Sequence, residues 1–183
     1  MFNRGRKRAF ELARLQPGER VLLVACGTGL DLEFIPAGVE VAAIDITPAM
    51  VERTRRRARH LSMPVEARVM DAGALAFPDE SFNCVVMHLA LAVVPDPVAA
   101  IREAARVLVP GGRVSVFDKF LADDASPSVG RRAASAATGI LATELNRQLG
   151  PLVRAGGLTL SKRESVGLRG VFVVARLDKR ERR

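Results

Sequence analysis

A short apolar stretch that leads directly into a glycine turn is the feature that most limits how this chain can fold. Residues 20–25 read RVLLVA, and the chain continues through Cys26 into Gly27-Thr28-Gly29. A strand that is apolar on both faces is typical of a parallel sheet covered by helices on each side. Glycine allows a sharp backbone turn and lets a ligand approach main-chain atoms. The sequence therefore predicts a buried parallel strand with a binding turn at its carboxyl end.

Apolar runs of this kind recur along the chain and alternate with helical patterns. Strands are predicted at residues 20–25, 39–45 and 65–71, within 82–91 and within 113–120. Helices are predicted at residues 3–15, from Thr47-Pro48 to about His60, from Asp96-Pro97 to the PGG of 110–112, and from about 131 to 155. LTLSKRES and GVFVVARL close the chain as a hairpin. We expect one α/β domain over residues 1–183, with a doubly wound, mostly parallel seven-stranded sheet that contains one antiparallel strand.

Positive charge is distributed unevenly along the chain. The net charge is +8, and the excess of Lys and Arg lies in residues 1–20, in residues 162–183 and in the RTRRRAR stretch at 53–59. Such a surface favours polyanions, and peripheral contact with an anionic membrane is one expectation. A nucleic-acid partner is disfavoured, because the sequence has no Trp or Tyr that could stack on bases. Nothing in the pattern indicates an oligomeric state.

The remaining composition predicts a cytoplasmic protein without a metal site. No apolar run reaches the roughly 18 residues that a membrane span needs. The basic N-terminus lacks the apolar core of a signal peptide. Cys26 and Cys84 lie far apart, form no CxxC pair and adjoin apolar strands, so we interpret them as buried free thiols.

Acidic residues follow two further strands at the predicted binding edge. Asp45 ends the second strand, where an acid can accept hydrogen bonds from ribose hydroxyls, and Asp71 ends the third. Ile46 and Met50 are suited to an apolar wall against a purine. Together with the glycine turn, these residues predict a nucleoside site.

The glycine turn also indicates which nucleoside is bound. A dinucleotide site would carry GxGxxG, but Leu32 occupies the position of the third glycine. Asp31 would repel a pyrophosphate at the helix N-terminus. An acid at this turn is better suited to a cationic or zwitterionic ligand such as S-adenosylmethionine. A nicotinamide oxidoreductase is therefore disfavoured.

Four segments of the chain resemble those of class I S-adenosylmethionine-dependent methyltransferases. They are VLLVACGTGLDL, VAAIDITPAM, VMDAGALAFPDESFNCVVMHLAL and VPDPVAAIREAARVLVPGGRVSVFDKF, and the match extends over about residues 18–120. Within that superfamily the chain resembles bacterial phosphatidylethanolamine N-methyltransferases and ubiquinone/menaquinone C-methyltransferases. The resemblance implies a Rossmann-like methyltransferase fold, S-adenosylmethionine as cofactor and a small-molecule or lipid acceptor. A phospholipid amine and a quinone ring carbon are the two candidate acceptors.

The resemblance also implies a set of site residues. His88, at the end of the fourth strand, is the candidate base. Asp118, at the end of the fifth strand, is a candidate for positioning the acceptor. The implied cofactor-binding residues are Val24, Ala25, Gly27, Gly29, Asp45, Ile46, Met50, Asp71, Ala72, Met87 and His88.

Departures from the family pattern affect the expected site. Ala25 replaces the first glycine of the loop and is expected to keep an ordinary φ, because a positive φ would strain alanine. Leu23 replaces an acid that supports the cofactor's amino group. Relatives often carry an N-terminal segment whose Tyr closes over the cofactor. Here the pocket is open, or Phe2 and Phe10 line it, or the chain is a shortened form.

Two rival functions stay open. A nucleic-acid methyltransferase would share the fold, but the HLAL of residues 88–91 does not match an acceptor-pocket motif such as (N/D)PP(Y/F). A nucleoside-binding protein of methyltransferase fold without catalysis is compatible with Ala25 and Leu23. Turnover on an acceptor would separate the second possibility from an enzyme.

Overall fold

Seven strands form one sheet in the computed structural model, which describes residues 2–120, 148–166 and 172–182. The strands are β1 (Arg20–Val24), β2 (Glu40–Asp45), β3 (Val65–Val69), β4 (Phe82–His88), β5 (Leu108–Lys119), β6 (Thr159–Val166) and β7 (Phe172–Asp178). The helices are α1 (Phe2–Ala13), α2 (Pro48–His60), α3 (Pro97–Val107) and α4 (Leu149–Ala155), and a 3-10 helix covers Leu30–Phe34.

The strand order confirms the predicted fold class. The sheet runs β3-β2-β1-β4-β5-β7-β6. β1 pairs in parallel with both β2 and β4, whereas β7 pairs antiparallel with both β5 and β6. The chain therefore winds outward in one direction from β1 to β3 and in the other direction from β4 onward. The switch point between β1 and β4 is where open α/β sheets place their ligands.

The central strand is buried on both faces, as its sequence predicts. Val21 and Leu23 pack in the cluster that contains Phe10 of α1 and Val51 of α2. Leu22 and Val24 point to the opposite face, where the cluster includes residues of α3 and α4. Because successive side chains alternate between the two faces, a strand can be apolar throughout only when helices cover both sides.

The two predicted helix starts are observed, but their caps differ. Asp96 caps α3, since its Oδ1 accepts hydrogen bonds from the backbone N–H groups of Val98 and Ala99, each at 2.9 Å. Thr47 precedes α2 at the N-cap position, but its side chain makes no capping hydrogen bond. The backbone N–H of Thr47 instead donates to Asp45, which ties the start of α2 to the end of β2.

The predicted end of α3 at the PGG of residues 110–112 is wrong. The helix ends at Val107 and β5 begins at Leu108. The carbonyls of Arg106 and Val107 accept hydrogen bonds from the backbone of Glu80 and Ser81 at 3.1 and 2.8 Å. These bonds draw the chain into the sheet before it reaches the glycines.

The third strand and the last predicted helix also have boundaries that differ from those predicted. β3 ends at Val69, two residues before Asp71. For the helix predicted over about 131–155, the structure describes the final part as α4, and the predictions for residues 121–147 lie outside the described residues. The turn of the predicted closing hairpin, residues 167–171, also lies outside them.

Candidate functional site

A cleft of about 490 Å³ opens at the carboxyl ends of β1, β2 and β4, beside the switch point of the sheet. Its volume lies within the range of small-molecule sites. The predicted site residues that line it are Ala25, Gly27, Asp45, Ile46, Met50, Asp71, Ala72 and His88. Folding therefore brings residues from the carboxyl ends of four strands, β1 to β4, onto one continuous surface.

Three of the expected cofactor contacts do not line the cleft. Val24 and Met87 are buried in the hydrophobic core, because strand alternation turns their side chains into the cluster beneath α3 and α4. Gly29 faces α2 instead of the cleft, and a Cβ on it would lie 3.1 Å from the Oγ1 of Thr54. The structure shows packing roles for these three residues, and their contacts with a cofactor stay a prediction.

The two glycines of the turn have different tasks. Both adopt a left-handed backbone conformation, with φ of +56° at Gly27 and +76° at Gly29. A Cβ on Gly27 would meet no atom closer than the carbonyl oxygen of Ala25 at 4.0 Å, so this glycine borders open space. Gly29 instead allows α2 to pack closely against the turn. One glycine therefore leaves room for a ligand, and the other permits helix packing.

The expectation of an ordinary backbone at Ala25 is wrong, because its φ is +52°. The flanking hydrogen bonds explain why the turn keeps this shape. The N–H of Cys26 donates to the carbonyl of Ile44 at 2.8 Å, and the N–H of Gly29 donates to the carbonyl of Cys26 at 2.9 Å. These bonds hold the loop in place, and Ala25 takes a left-handed conformation that costs about 1–2 kcal/mol.

Asp45 connects two loops at the centre of the cleft. Its Oδ2 accepts a hydrogen bond from the N–H of Gly27, and its Oδ1 accepts one from the N–H of Thr47, each at 2.9 Å. A carboxylate offers about four lone-pair sites, so both oxygens can still accept from a ligand. The backbone thus holds Asp45 in place as a bidentate acceptor that borders the cleft.

The part of the cleft next to β3 is more open. The side chain of Asp71 is exposed, and its Oδ1 accepts a hydrogen bond from the N–H of Gly73 at 2.8 Å. Ile46 is 59% exposed, and Met50 is half-buried beside it. Ile46 and Met50 thus form an apolar wall of the cleft. The carboxylate of Asp71 borders the same part of the cleft and also accepts the hydrogen bond that stabilises the turn after β3.

His88 lies in a buried polar network. Its Nδ1 is 2.7 Å from Oδ1 of Asp31, and its Nε2 is 3.0 Å from Oγ of Ser115. Its ring also packs edge-on against Phe10, with centroids 5.2 Å apart. Both ring nitrogens are engaged and the side chain is fully buried, which argues against a proton-accepting role toward a substrate.

Asp118 is buried beneath the loop that follows β4. Its Oδ2 accepts a hydrogen bond from the N–H of Ala92 at 3.0 Å, and its Oδ1 accepts one from the N–H of Lys119 at 2.8 Å. Burial raises the pKa of Asp118 to about 6, against the opposing effect of these backbone hydrogen bonds. Asp118 does not line the cleft, and its contacts fix the loop that does.

Two charged residues of the cleft were not identified as site residues from the sequence. Arg6 lines the cleft from α1, and its Nε lies 3.2 Å from Oδ1 of Asp31. A signal for Arg6 exists in the sequence, because Arg6 falls on the same helical face as Ala9, Phe10 and Ala13. Asp31 was noted only as an acid near the turn, and its partners become visible only when α1 and β4 meet in the fold.

The expected cover from phenylalanines is not observed among the cleft-lining residues. Phe2 packs edge-on against Phe172, with ring centroids 5.5 Å apart. Phe10 stacks on Phe34 at 5.9 Å and is buried. Helix α1 therefore contributes a guanidinium to the cleft, and its aromatic rings pack elsewhere.

The cysteines are buried free thiols, as expected. Cys26 lines the cleft, and burial raises the pKa of its thiol to about 11, so it is protonated at neutral pH. Within residues 2–120, 148–166 and 172–182, no group of three or more His, Cys, Asp or Glu side chains could hold a metal ion. None of the helices described for this chain has the length and apolar character required to cross a membrane.

Comparison with known proteins gives consistent matches. Residues 22–116, just over half of the chain, match the family described as methyltransferase domain. A phosphatidylethanolamine N-methyltransferase from Cereibacter sphaeroides is 42% identical over 108 residues, covering 58% of this chain and 53% of the relative. A demethylmenaquinone methyltransferase from Thermus thermophilus is 37% identical over 118 residues, covering 63% of this chain and 54% of the relative. The chain spans about half the length of these curated relatives.

Solved structures share the fold over nearly the whole chain. A SAM-dependent methyltransferase from Aquifex aeolicus has a TM-score of 0.73 and 18% identity, covering 94% of this chain and 88% of the other. The cyclase SpnF has a TM-score of 0.82 and 20% identity, covering 98% of this chain and 81% of the other. Since one of the two is a cyclase, these likenesses establish the fold and no particular reaction. On the evidence of the family match and the fold together, this chain belongs to the methyltransferase domain family.

Proposed function

We propose that this chain transfers a methyl group from S-adenosylmethionine to a phospholipid amine. The observation that carries the proposal is Asp45, whose carboxylate is fixed between the loops after β1 and β2 and borders the cleft. A carboxylate held in this way is suited to accept hydrogen bonds from the two hydroxyls of a ribose. The family match supports the same ligand class.

The charges of the cleft fit S-adenosylmethionine better than a nucleotide. Three carboxylates line it, from Asp31, Asp45 and Asp71, and Arg6 contributes a guanidinium. Such a cleft suits a nucleoside that carries a cationic centre and an amino acid. It is poorly suited to a pyrophosphate, which would be repelled by the carboxylates.

The reaction is a displacement at a methyl carbon. S-adenosylmethionine supplies a methyl group on a sulfonium: the lone pair of the acceptor bonds to that carbon, the carbon–sulfur bond breaks, and S-adenosylhomocysteine leaves. The chain contributes by holding the two reactants in attack geometry. His88 and Asp118 have their polar atoms bound to protein groups, so we assign neither as a base, and the amine releases its proton to water.

A lipid acceptor is favoured by two observations. The relative from Cereibacter sphaeroides is named for phosphatidylethanolamine, and the chain carries a net charge of +8. Arg53, Arg56 and Arg59 are exposed on α2, and each cation near an anionic bilayer contributes about 1 kcal/mol to membrane attraction. The alternative acceptor is a quinone ring carbon, as the name of the Thermus thermophilus relative suggests.

The first test is calorimetric titration with S-adenosylmethionine and S-adenosylhomocysteine. Asp45→Ala removes the proposed ribose acceptor and releases two backbone N–H groups, so we expect affinity to fall at least about 100-fold. Asp79→Ala is the matched control, because Asp79 is exposed and lies outside the cleft. Wild-type protein that binds neither compound would overturn the proposal.

The acceptor is tested with S-adenosylmethionine that carries a labelled methyl group. Vesicles with phosphatidylethanolamine are compared with vesicles of phosphatidylcholine alone and with a demethylated naphthoquinone in detergent. Label in the phospholipid supports the proposal, and label in the quinone supports the alternative. Cofactor binding without label in either acceptor would favour a nucleoside-binding protein that does not catalyse methyl transfer.

A further inference from the structure

Exposed apolar side chains are unevenly distributed between the two ends of the sheet. Six large apolar side chains are exposed among the residues that the structure describes. The four most exposed lie at the end that carries the cleft: Phe2 at 45%, Ile46 at 59%, Val69 at 52% and Val93 at 47%. The other two, Leu61 at 37% and Leu160 at 39%, lie toward the opposite end. Apolar side chains that are exposed together on one side of a molecule indicate an interaction surface.

The strands determine where these four side chains lie. Ile46 directly follows β2, and Val69 is the last residue of β3. Val93 belongs to the loop after β4 and lines the cleft, as Ile46 does. Phe2 packs edge-on against Phe172, the first residue of β7, which pairs with the last residue of β5. The four side chains therefore meet at the sheet edge where β2 to β5 end, and they flank the cleft. We call them the cleft edge.

Cationic side chains accompany the cleft edge. Arg4 is exposed in the same turn of α1 as Phe2. The Nζ of Lys119 lies 5.4 Å from the centroid of the Phe172 ring, so its ammonium adjoins the aromatic pair of Phe2 and Phe172. Arg53 is exposed in the second turn of α2, a helix that begins at the same edge. Long cationic side chains beside apolar ones are typical of surfaces at the boundary between water and lipid.

We propose that the cleft edge docks on an anionic phospholipid bilayer, so that the cleft opens toward the lipid headgroups. Its apolar side chains enter the interfacial layer, and the cations beside them approach the lipid phosphates. The net charge of +8 adds attraction over the whole chain and outweighs the exposed carboxylates of Asp71 and Asp96 at this edge. The proposal rests on the proposed function, since it takes the acceptor to be a lipid that enters the cleft from the membrane.

A bilayer suits this arrangement better than a folded protein partner does. The four side chains project from separate segments around an opening, whereas a protein interface needs a continuous, well-packed core. Fluid lipid accommodates apolar side chains one by one, and each contributes according to the apolar area that it buries. A protein bound at the cleft edge would also cover the cleft, but a bilayer in the same place supplies the acceptor.

The orientation on the bilayer can be measured by tryptophan fluorescence, because the sequence contains no Trp or Tyr of its own. Phe2→Trp and Val69→Trp place a single Trp at the cleft edge. Leu61→Trp, just after α2, and Leu160→Trp, near the start of β6, place it toward the opposite end. With mixed phosphatidylcholine and phosphatidylglycerol vesicles, we expect a blue-shifted emission and quenching by brominated acyl chains in the first pair only. Equal responses in all four variants would overturn the proposal, because they would indicate adsorption without orientation, and so would the absence of any response.

Removal of the apolar side chains measures their contribution to docking. Phe2→Ser combined with Val69→Ser should weaken partitioning onto the same vesicles by about tenfold, since less apolar area enters the interface. Leu61→Ser combined with Leu160→Ser is the matched control, and its partitioning should stay within about twofold of the wild type. Unchanged partitioning in the first double variant would overturn the cleft edge as the docking surface.

These outcomes are distinct from those that test the proposed function. Neither Phe2 nor Val69 lines the cleft, so both double variants should bind S-adenosylhomocysteine like the wild type. Docking at the cleft edge without methyl transfer to phosphatidylethanolamine would support the surface and overturn the acceptor. Methyl transfer to that lipid in detergent micelles, without docking on vesicles, would support the acceptor and overturn the surface. Thermal unfolding of each variant establishes that the compared proteins are folded.

Discussion

Two parts of the same sheet edge use similar residues in different ways. In the loops after β1 and β2, the carboxylate of Asp45 is fixed by backbone N–H groups and still borders the cleft. At the ends of β4 and β5, His88 and Asp118 are buried, and their polar atoms form hydrogen bonds with other groups of the protein. A polar residue at a strand end is therefore not by itself a site residue. What distinguishes the two cases is whether lone pairs or protons remain directed at the cleft.

This comparison predicts opposite consequences for substitutions on the two sides. Changes in the loops after β1 and β2 should reduce ligand affinity more than stability. Changes at the ends of β4 and β5 should reduce stability more than affinity. Substitutions of His88 and Asp118 test the expected loss of stability at the ends of β4 and β5, and a substitution of Thr54 tests the expected loss of affinity near the turn after β1. The expected effects decrease in that order.

The largest effect is expected for His88→Ala. The substitution leaves Asp31 and Ser115 without their buried partner and removes a ring packed against Phe10, so we expect a loss of about 3 kcal/mol in the free energy of unfolding. Affinity for S-adenosylhomocysteine should change within about tenfold, far less than in Asp45→Ala. Urea unfolding and calorimetric titration measure the two quantities.

The other histidine supplies the control for this experiment. His60 lies exposed at the end of α2, and His60→Ala should change stability little. If His88→Ala kept wild-type stability and lost only methyl transfer to an identified acceptor, the proposed difference between the two parts of the sheet edge would be wrong. His88 would then be the general base.

The pH dependence of stability gives the next effect. The pKa of Asp118 is about 6 in the folded chain against an ordinary value of 3.8, so the folded state binds this proton more tightly. The resulting stabilisation is complete below about pH 4 and is lost as pH rises through about 6, with a total of about 3 kcal/mol. Asp118→Asn cannot titrate, so its stability should fall less over this range. Urea unfolding at several pH values measures the difference.

An exposed carboxyl provides the comparison for Asp118. Glu40 is solvent-exposed at the start of β2, and Glu40→Gln, which likewise replaces one carboxyl by an amide, is the control. Parallel curves for wild type and Asp118→Asn would show that burial does not hold this proton in the folded state.

The smallest effect is expected for Thr54→Val on the ligand side. The Oγ1 of Thr54 donates to the carbonyl of Gly27 at 3.0 Å, and valine has the same shape without the donor. We expect a loss of about 1 kcal/mol in stability and a fewfold loss of ligand affinity, since the turn would be held less firmly. Thr159→Val, at an exposed position of β6, is the control. Unchanged ligand affinity in Thr54→Val would mean that the other hydrogen bonds of the turn hold it in its binding conformation without Thr54.

The strands and the loop positions follow from local patterns in the sequence. Residues 20–25 are apolar at every position, and that run predicts both the central strand and the place of the cleft. Asp45 is predicted for the same reason, because an acid at the end of a second parallel strand must come close to the turn after the first. These features depend on short-range periodicity and on the geometry common to parallel sheets.

The partners of the site residues do not follow from local patterns. Arg6 meets Asp31 across 25 positions of sequence, and Asp31 meets His88 across 57. The prediction for the backbone at Ala25 is wrong because the turn is held by one hydrogen bond from Cys26 to Ile44 and one from Gly29 to Cys26, which no propensity of alanine can reveal. Such features depend on which loops the completed sheet brings together.

The position of β7 has a consequence for how the chain is made. Residues 172–178 pair between β5 and β6, although they are synthesised after both. While a nascent chain leaves the ribosome, the loops that carry Asp45 and Gly27 can assemble early, but the hydrogen-bonding edge of β5 stays open until β7 emerges. An open edge of this length invites pairing with another chain. The sheet is therefore closed only after β7 has been made, and until then the edges of β5 and β6 that β7 will pair with are exposed.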